Sequence, residues 1–198
     1  MTLPNFKYFH NNKSKTLDLV LQGGSYGMNS SFLEKVIASC RNKGYSVLAL
    51  NFPYFDRGEE KSSGPGLKEE LSVLGEAMKF VKANDYGHVR FVAKSLGAIV
   101  ASYFLRNLPK DKRNKYSIVV LGYVTGSIDL KRFYGNISII QGEKDKFGGI
   151  DKVKRDLKNA ASGNISYFGI KGADHSYRDP KTKEPIYEDK AIEILSLL

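Results

Sequence analysis

The segment Phe91-Val92-Ala93-Lys94-Ser95-Leu96-Gly97-Ala98 sets a serine between an apolar run and a helix-forming stretch, with small residues two positions before and after it. At a strand-to-helix turn of this kind the serine is strained and its Oγ projects at the carboxyl end of a sheet, so the flanking positions must be small. Gly97 meets that need, and Ala93 stands where the usual G-x-S-x-G pattern has glycine. A helix-capping role would explain a lone serine, but not the strand leading into it. A hydroxyl is a poor nucleophile at neutral pH and needs a general base together with a group that orients the base. The chain has three histidines. His10 lies among asparagines, and His88 sits at the amino end of the nucleophile strand, the wrong edge of the sheet. His175, in Lys171-Gly172-Ala173-Asp174-His175-Ser176-Tyr177, follows the last apolar run and is expected at the same edge as Ser95. The preceding run ends in Gln141-Gly142-Glu143-Lys144-Asp145-Lys146, and Asp145 is the expected orienting acid, with Glu143 and Asp174 as competing carboxylates.

Acyl transfer also needs donors for a developing oxyanion. The N–H of Leu96, at the start of the helix after Ser95, is one candidate. The loop Gln22-Gly23-Gly24-Ser25-Tyr26-Gly27 supplies the other, Gly24 ahead of Ser25, because glycine lets the backbone approach a substrate closely. Ser25 and Tyr26 are further candidate substrate contacts. Lys94, beside the nucleophile, and Arg57, in a later loop, suit an anionic substrate, and both types also serve as ordinary solvated charges.

These residues need a sheet to bring them together. Six apolar, β-branched runs read as strands: Leu17–Gln22, Ser46–Phe52, Val89–Lys94, Ser117–Val124, Ile137–Gln141 and Ile165–Ile170. Helical patterns separate or follow them near Asn29–Asn42, Leu67–Asn84, Leu96–Asn107, Gly149–Ala161 and Tyr187–Leu198. Strands alternating with helices predict an α/β fold, a three-layer, doubly wound, mostly parallel sheet. Phe6–Phe9 is a candidate edge strand of unsettled direction. Pro53–Gly66 reads as one long loop, and loops of that length are often lids or binding loops. No insertion is large enough for a cap domain, so residues 1–198 are expected to form one domain with an open site.

The 198 residues are 41% hydrophobic and 26% charged, enough for one substantial core. No apolar stretch approaches the length of a membrane span. The single cysteine, Cys40, excludes an internal disulfide framework, and no signal-peptide pattern opens the chain. A cytoplasmic location is expected. The formal charge of +10 raises the question of an anionic partner. The densest basic run, Lys110–Lys115, is interrupted by Asp111 and reads as solvated surface. No nucleic-acid motif is present.

Taken together, Q-G-G-S-Y-G-M-N-S, A-K-S-L-G-A, G-E-K-D and G-A-D-H-S resemble the α/β-hydrolase superfamily, in particular small lidless members similar to dienelactone-hydrolase-like serine esterases. The resemblance spans Leu17 to the C-terminus. It implies Ser95, Asp145 and His175 as a triad in the family's chain order and Gly24 with Leu96 as oxyanion donors. Gln22 stands where many members carry histidine, and the cysteine chemistry of dienelactone hydrolases proper does not carry over, because Cys40 falls within a predicted helix. The expected activity is hydrolysis of a small carboxylic ester, thioester or amide through an acyl-enzyme, with no metal or cofactor, by a monomer or homodimer. The competing reading is a non-catalytic scaffold of the same fold that uses its basic surface to bind a partner.

Overall fold

Apolar strands placed side by side build a seven-stranded sheet in a computed structural model that describes residues 5–109 and 114–198. The strands are β1 (Phe6–Phe9), β2 (Thr16–Leu21), β3 (Ser46–Leu50), β4 (His88–Lys94), β5 (Tyr116–Leu121), β6 (Ile137–Gly142) and β7 (Ile165–Ile170). Their order is β1-β3-β2-β4-β5-β6-β7. All neighbours are parallel except β1, which settles antiparallel on β3 with Phe6 opposite Leu50. Of the basic run read from the sequence, residues 110–113 lie outside the described residues.

The helices are α1 (Ser31–Asn42), α2 (Pro53–Asp56), α3 (Lys68–Phe80), α4 (Leu96–Arg106), α5 (Ile150–Asp156) and α6 (Glu188–Leu197). Side chains alternate along each strand, so every strand feeds two cores. Leu17, Leu19, Leu21, Phe91 and Ala93 pack towards α3, α4 and α5. Val20, Val92, Val119 and Ile140 pack towards α1 and α6. In α1 the buried positions Phe32, Leu33, Val36, Ile37 and Cys40 recur at helical spacing and present one face to the sheet. The three-layer, doubly wound arrangement and the lack of a cap match the expectation from the strand–helix alternation.

Several element boundaries differ from the sequence reading, each for a local reason. The strand read to Val124 stops at Leu121, because Gly122 turns the chain with φ +77°. The helix read to Asn84 stops at Phe80, since Lys82 is left-handed at φ +51° and a 3₁₀ turn, Ala83–Asp85, follows. Pro53–Gly66 is not one loop. Pro53 occupies the first turn of α2, where its fixed φ suits a helix start. The irregular remainder is tied down by the buried Glu70, which accepts from the Ser63 N–H at 3.0 Å and from the Ser63 hydroxyl.

The chain turns one way from β2 and the other way from β4, so these adjacent strands form the switch point where open α/β sheets bind ligands. Their amino halves are joined by a buried ion pair, with Arg90 donating to both oxygens of Asp18 at 2.9 and 2.6 Å. Removing one member of such a pair strands a buried charge at a cost of about 3–5 kcal/mol. Asp18→Ala is therefore expected to lower the urea-unfolding free energy by that amount; an unchanged midpoint would show that solvent replaces the carboxylate.

Candidate active site

Ser95 follows β4 directly and opens α4 with φ 49° and ψ −108°. A left-handed backbone on a non-glycine residue costs about 1–3 kcal/mol and persists only where the surroundings hold it. Here Ser95 N–H donates to Leu121 O, and the Ser95 carbonyl accepts from Ala98 and Ile99. The first turn of α4 lies against the end of β2: a Cβ on Gly97 would sit 2.6 Å from Gln22 O and 2.8 Å from Leu21 Cβ. Ala93, by contrast, buries its methyl in the core under α3, α4 and α5, which accommodates alanine at the other flanking position.

His175 Nε2 lies 2.8 Å from Ser95 Oγ, and His175 Nδ1 lies 2.6 Å from Asp145 Oδ2. The Asp145 side chain has no solvent exposure, and the imidazole has 15%. Asp145 is held by the Phe147 N–H at 2.8 Å and by Gln141 Nε2 at 2.9 Å. The Phe147 ring meets the imidazole edge to face at 4.7 Å between centroids. The competing carboxylates have other work. Glu143 accepts from the Gly172 N–H at 2.9 Å, and Asp174 accepts from the N–H groups of Ser176 and Arg178 at 2.8 and 3.0 Å, shaping the His175 loop. His88 bonds Ser117 Oγ at 2.8 Å at the amino edge, and His10 sits beside Tyr8 and Tyr86.

The loop after β2 lies beside Ser95: a Cβ on Gly23 would stand 3.9 Å from Ser95 Cβ. Gly24, Ser25 and Tyr26 are exposed and line, with Ser95 and His175, a cavity of about 520 Å³. Leu96 occupies the first position of α4, where its N–H has no intrahelical acceptor. Lys94 also reaches the cavity wall but is buried, its Nζ donating to the main-chain oxygen of His175 at 2.7 Å. Arg57 corrects the sequence expectation. It is not among the cavity-lining residues, and its guanidinium is occupied by Glu59 at 2.7 and 2.8 Å and Glu69 at 2.8 Å. Basic groups near the cavity come instead from Lys144, Lys146, Arg178 and Lys183.

Three further residues support the site: Gln141, which the sequence did not single out, and Asn51 and Tyr54 of the N-F-P-Y segment, which the family resemblance implies helps wall the pocket. Gln141, fully buried at the end of β6, bridges Asp145 to the Gly148 carbonyl at 2.6 Å and accepts from the Tyr123 N–H at 2.6 Å. Its signal was a polar side chain ending an otherwise apolar strand. Tyr54 donates to Gly24 O at 2.8 Å, and Asn51 accepts from the Met28 N–H at 2.8 Å, so the Asn51–Tyr54 segment pins both ends of the glycine loop. Cys40 is buried in α1, and burial pushes its thiol well above the ordinary range. Among the described residues no cluster of three or more His, Cys, Asp or Glu is arranged to hold a metal ion, and no helix is long and apolar enough to cross a membrane. Because the Gly97 site has no room, Gly97→Ala is expected to lower unfolding free energy by about 1–3 kcal/mol through overpacking. Ala93→Gly, where space is not at issue, is expected to cost about 0.5–1 kcal/mol through backbone entropy. Equal losses in urea unfolding would sink the close-approach explanation.

Comparisons with known proteins agree with this architecture. An alpha/beta hydrolase domain model matches residues 15–196, while no curated protein sequence matches the chain. Among solved structures, an alpha-beta serine hydrolase homologue from Coxiella burnetii superposes with TM-score 0.74 at 14% identity, covering 97% of this chain and 89% of its own. An esterase from Pyrococcus furiosus gives 0.70 at 18% identity, covering 97% and 86%. Est1E from Butyrivibrio proteoclasticus, with ferulic acid bound, gives 0.70 at 10%, covering 98% and 92%. Identities this low speak to fold alone, but the domain model spans nearly the whole sequence: the chain belongs to the alpha/beta hydrolase family.

Proposed function

We propose that the chain is a serine hydrolase that cleaves a small carboxylic ester, or a related thioester or amide, through an acyl-enzyme on Ser95. The observation that carries this reading is the position of His175, 2.8 Å from Ser95 Oγ on one side and 2.6 Å from Asp145 on the other, at the mouth of a cavity on the carboxyl edge of the sheet. In the first step Ser95 Oγ attacks the substrate carbonyl carbon while its proton passes to His175 Nε2. Asp145 keeps the imidazole in the tautomer with its proton on Nδ1 and stabilises the imidazolium that forms. The carbonyl oxygen gains the negative charge, and the N–H groups of Gly24 and Leu96 are the assigned donors to it. Collapse expels the alcohol, which takes the proton from His175. Water then repeats the sequence on the acyl-enzyme and releases the acid.

The esterase neighbour from Pyrococcus furiosus and the resemblance to dienelactone-hydrolase-like esterases support an ester as substrate. Serine chemistry rather than cysteine chemistry is favoured because Cys40 is buried in α1 with its thiol held protonated. Tyr54 supports the oxyanion assignment: by holding Gly24 O at 2.8 Å it fixes the orientation of that stretch of backbone.

A fluorophosphonate probe is expected to label the wild type and not Ser95→Ala. Ester turnover is expected to fall about 10⁵–10⁶-fold in Ser95→Ala and about 10³–10⁴-fold in Asp145→Asn. A folded wild type that neither labels nor turns over ester would leave the scaffold reading standing. The cationic side chains at the rim suit an ester bearing a negative group. Combined Lys146→Ala and Arg178→Ala is expected to raise KM for a carboxylate-bearing ester about threefold to tenfold more than for a neutral one. Equal changes for both esters would remove charge from the specificity.

A further inference from the structure

Strand β4 buries two cationic side chains on the same face, and a carboxylate answers only one of them. Alternation places Arg90, Val92 and Lys94 on the side covered by α1 and α6. Arg90, at the amino end, is forked onto Asp18. Lys94, at the carboxyl end, is 9% exposed and has no carboxylate within ion-pair distance among the described residues. Burying an ammonium without such a partner is costly, and the cost falls on the residue next to Ser95.

The contacts of Lys94 join three loops of the site. Its stem runs beneath the glycine loop, where a Cβ on Gly23 would lie 3.4 Å from Lys94 Cγ. Its Nζ reaches under the turn after β5, where a Cβ on Gly122 would lie 2.7 Å from Nζ and 3.0 Å from His175 Cε1. There Nζ donates to the His175 carbonyl at 2.7 Å and stands 5.4 Å from the centre of the Tyr177 ring. Only a residue without a side chain fits at Gly122 while Lys94 takes this path.

We propose that Lys94 is a positioning residue: its ammonium, clamped on the main-chain oxygen of His175, holds the base against Ser95, and the clamp weakens when the lysine becomes neutral. This rests on the serine hydrolase reading. A charge-assisted hydrogen bond is about twice as strong as a neutral one, so the neutral amine still donates but grips less. The titratable groups facing Lys94 are Asp145, from the loop after β6, and Asp174, His175 and Tyr177, from the loop after β7. Burial lowers Lys94 to about 8, against the opposing pull of Asp145 and Asp174. The turnover number therefore falls as pH rises through about 8. Stability moves the other way. Between about pH 8 and the ordinary lysine value the unfolded chain binds the proton that the folded chain has lost, so this group adds stability as pH rises.

The test measures fluorophosphonate labelling rates, kcat and KM from about pH 6 to 10 for wild type, Lys94→Met and Lys94→Gln, with Tm across the same range. Lys94→Met removes charge and donor and is expected to lower kcat about tenfold to a hundredfold with KM little changed, as a misplaced base does. Its profile should lack the alkaline fall, and its Tm should equal or exceed that of wild type below pH 8, because a buried charge is gone. Lys94→Gln, which keeps an N–H donor, should recover part of kcat without restoring the alkaline fall. Lys94→Met with wild-type kcat overturns the proposal. So does a wild-type profile that shows no fall near pH 8, whatever the variants do. A folded wild type without labelling or turnover overturns the hydrolase reading itself, a result distinct from either.

Discussion

The main chain of Ala173 and Asp174 passes where a side chain on Gly142 would begin, with the Asp174 oxygen 2.4 Å from the place of its Cβ. That approach lets the loops after β6 and β7 zip together, Glu143 N–H to Ile170 O at 2.9 Å and Lys144 N–H to Ala173 O at 2.8 Å. Asp145 and His175 ride on the two sides of this seam, and their 2.6 Å contact follows from it. The elbow obeys the same logic, since the missing side chain of Gly97 lets α4 settle against the end of β2 and stabilises the left-handed Ser95. The geometry of Ser95, Asp145 and His175 at this edge depends on backbone packed against backbone, which is stiffer than any contact between long side chains.

Around this frame the polar side chains form a supporting shell with few unmet groups. Gln141 links Asp145 to Tyr123 and Gly148, while Tyr54 and Asn51 hold the glycine loop from the side of α2. Gln22 is the exception. It is fully buried, its Oε1 lacks a partner, and its Nε2 makes only a long 3.4 Å contact with the Tyr54 hydroxyl. The position joins β2 to the glycine loop, so an unmet acceptor here lies directly behind Gly24.

Electrostatics divides the sheet into two edges. At the amino edge the buried charges of Asp18 and Arg90 neutralise one another. At the carboxyl edge Asp145 and Lys94 are both buried and are joined through His175, one at its ring and the other at its backbone. The formal charge of +10 adds a broad positive field, which attracts anions from a distance and weakens with salt. The basic residues of the cavity rim lie within that field, whereas Arg57 has its charge answered locally by two glutamates.

Much was legible in the sequence because it is carried by local pattern. Continuous apolar, β-branched runs marked the strands, and the alternation of strand and helix dictated a parallel sheet whose loops gather at one edge. From that, Ser95, Asp145 and His175 could be placed on the same edge without coordinates. Other features depend on what lies across the fold. The direction of β1 was decided by its pairing with β3, and the choice among Asp145, Glu143 and Asp174 as the partner of His175 by which carboxylate the seam at Gly142 turns inward. The fates of Lys94 and Arg57 show the limit most clearly. Both are cations near the site in sequence terms, yet one is drawn under His175 by the parity of its strand, and the other is held outside the cavity wall by glutamates two and twelve residues further along. Local sequence sets which way a side chain leaves the backbone; only the packed neighbours determine what it meets.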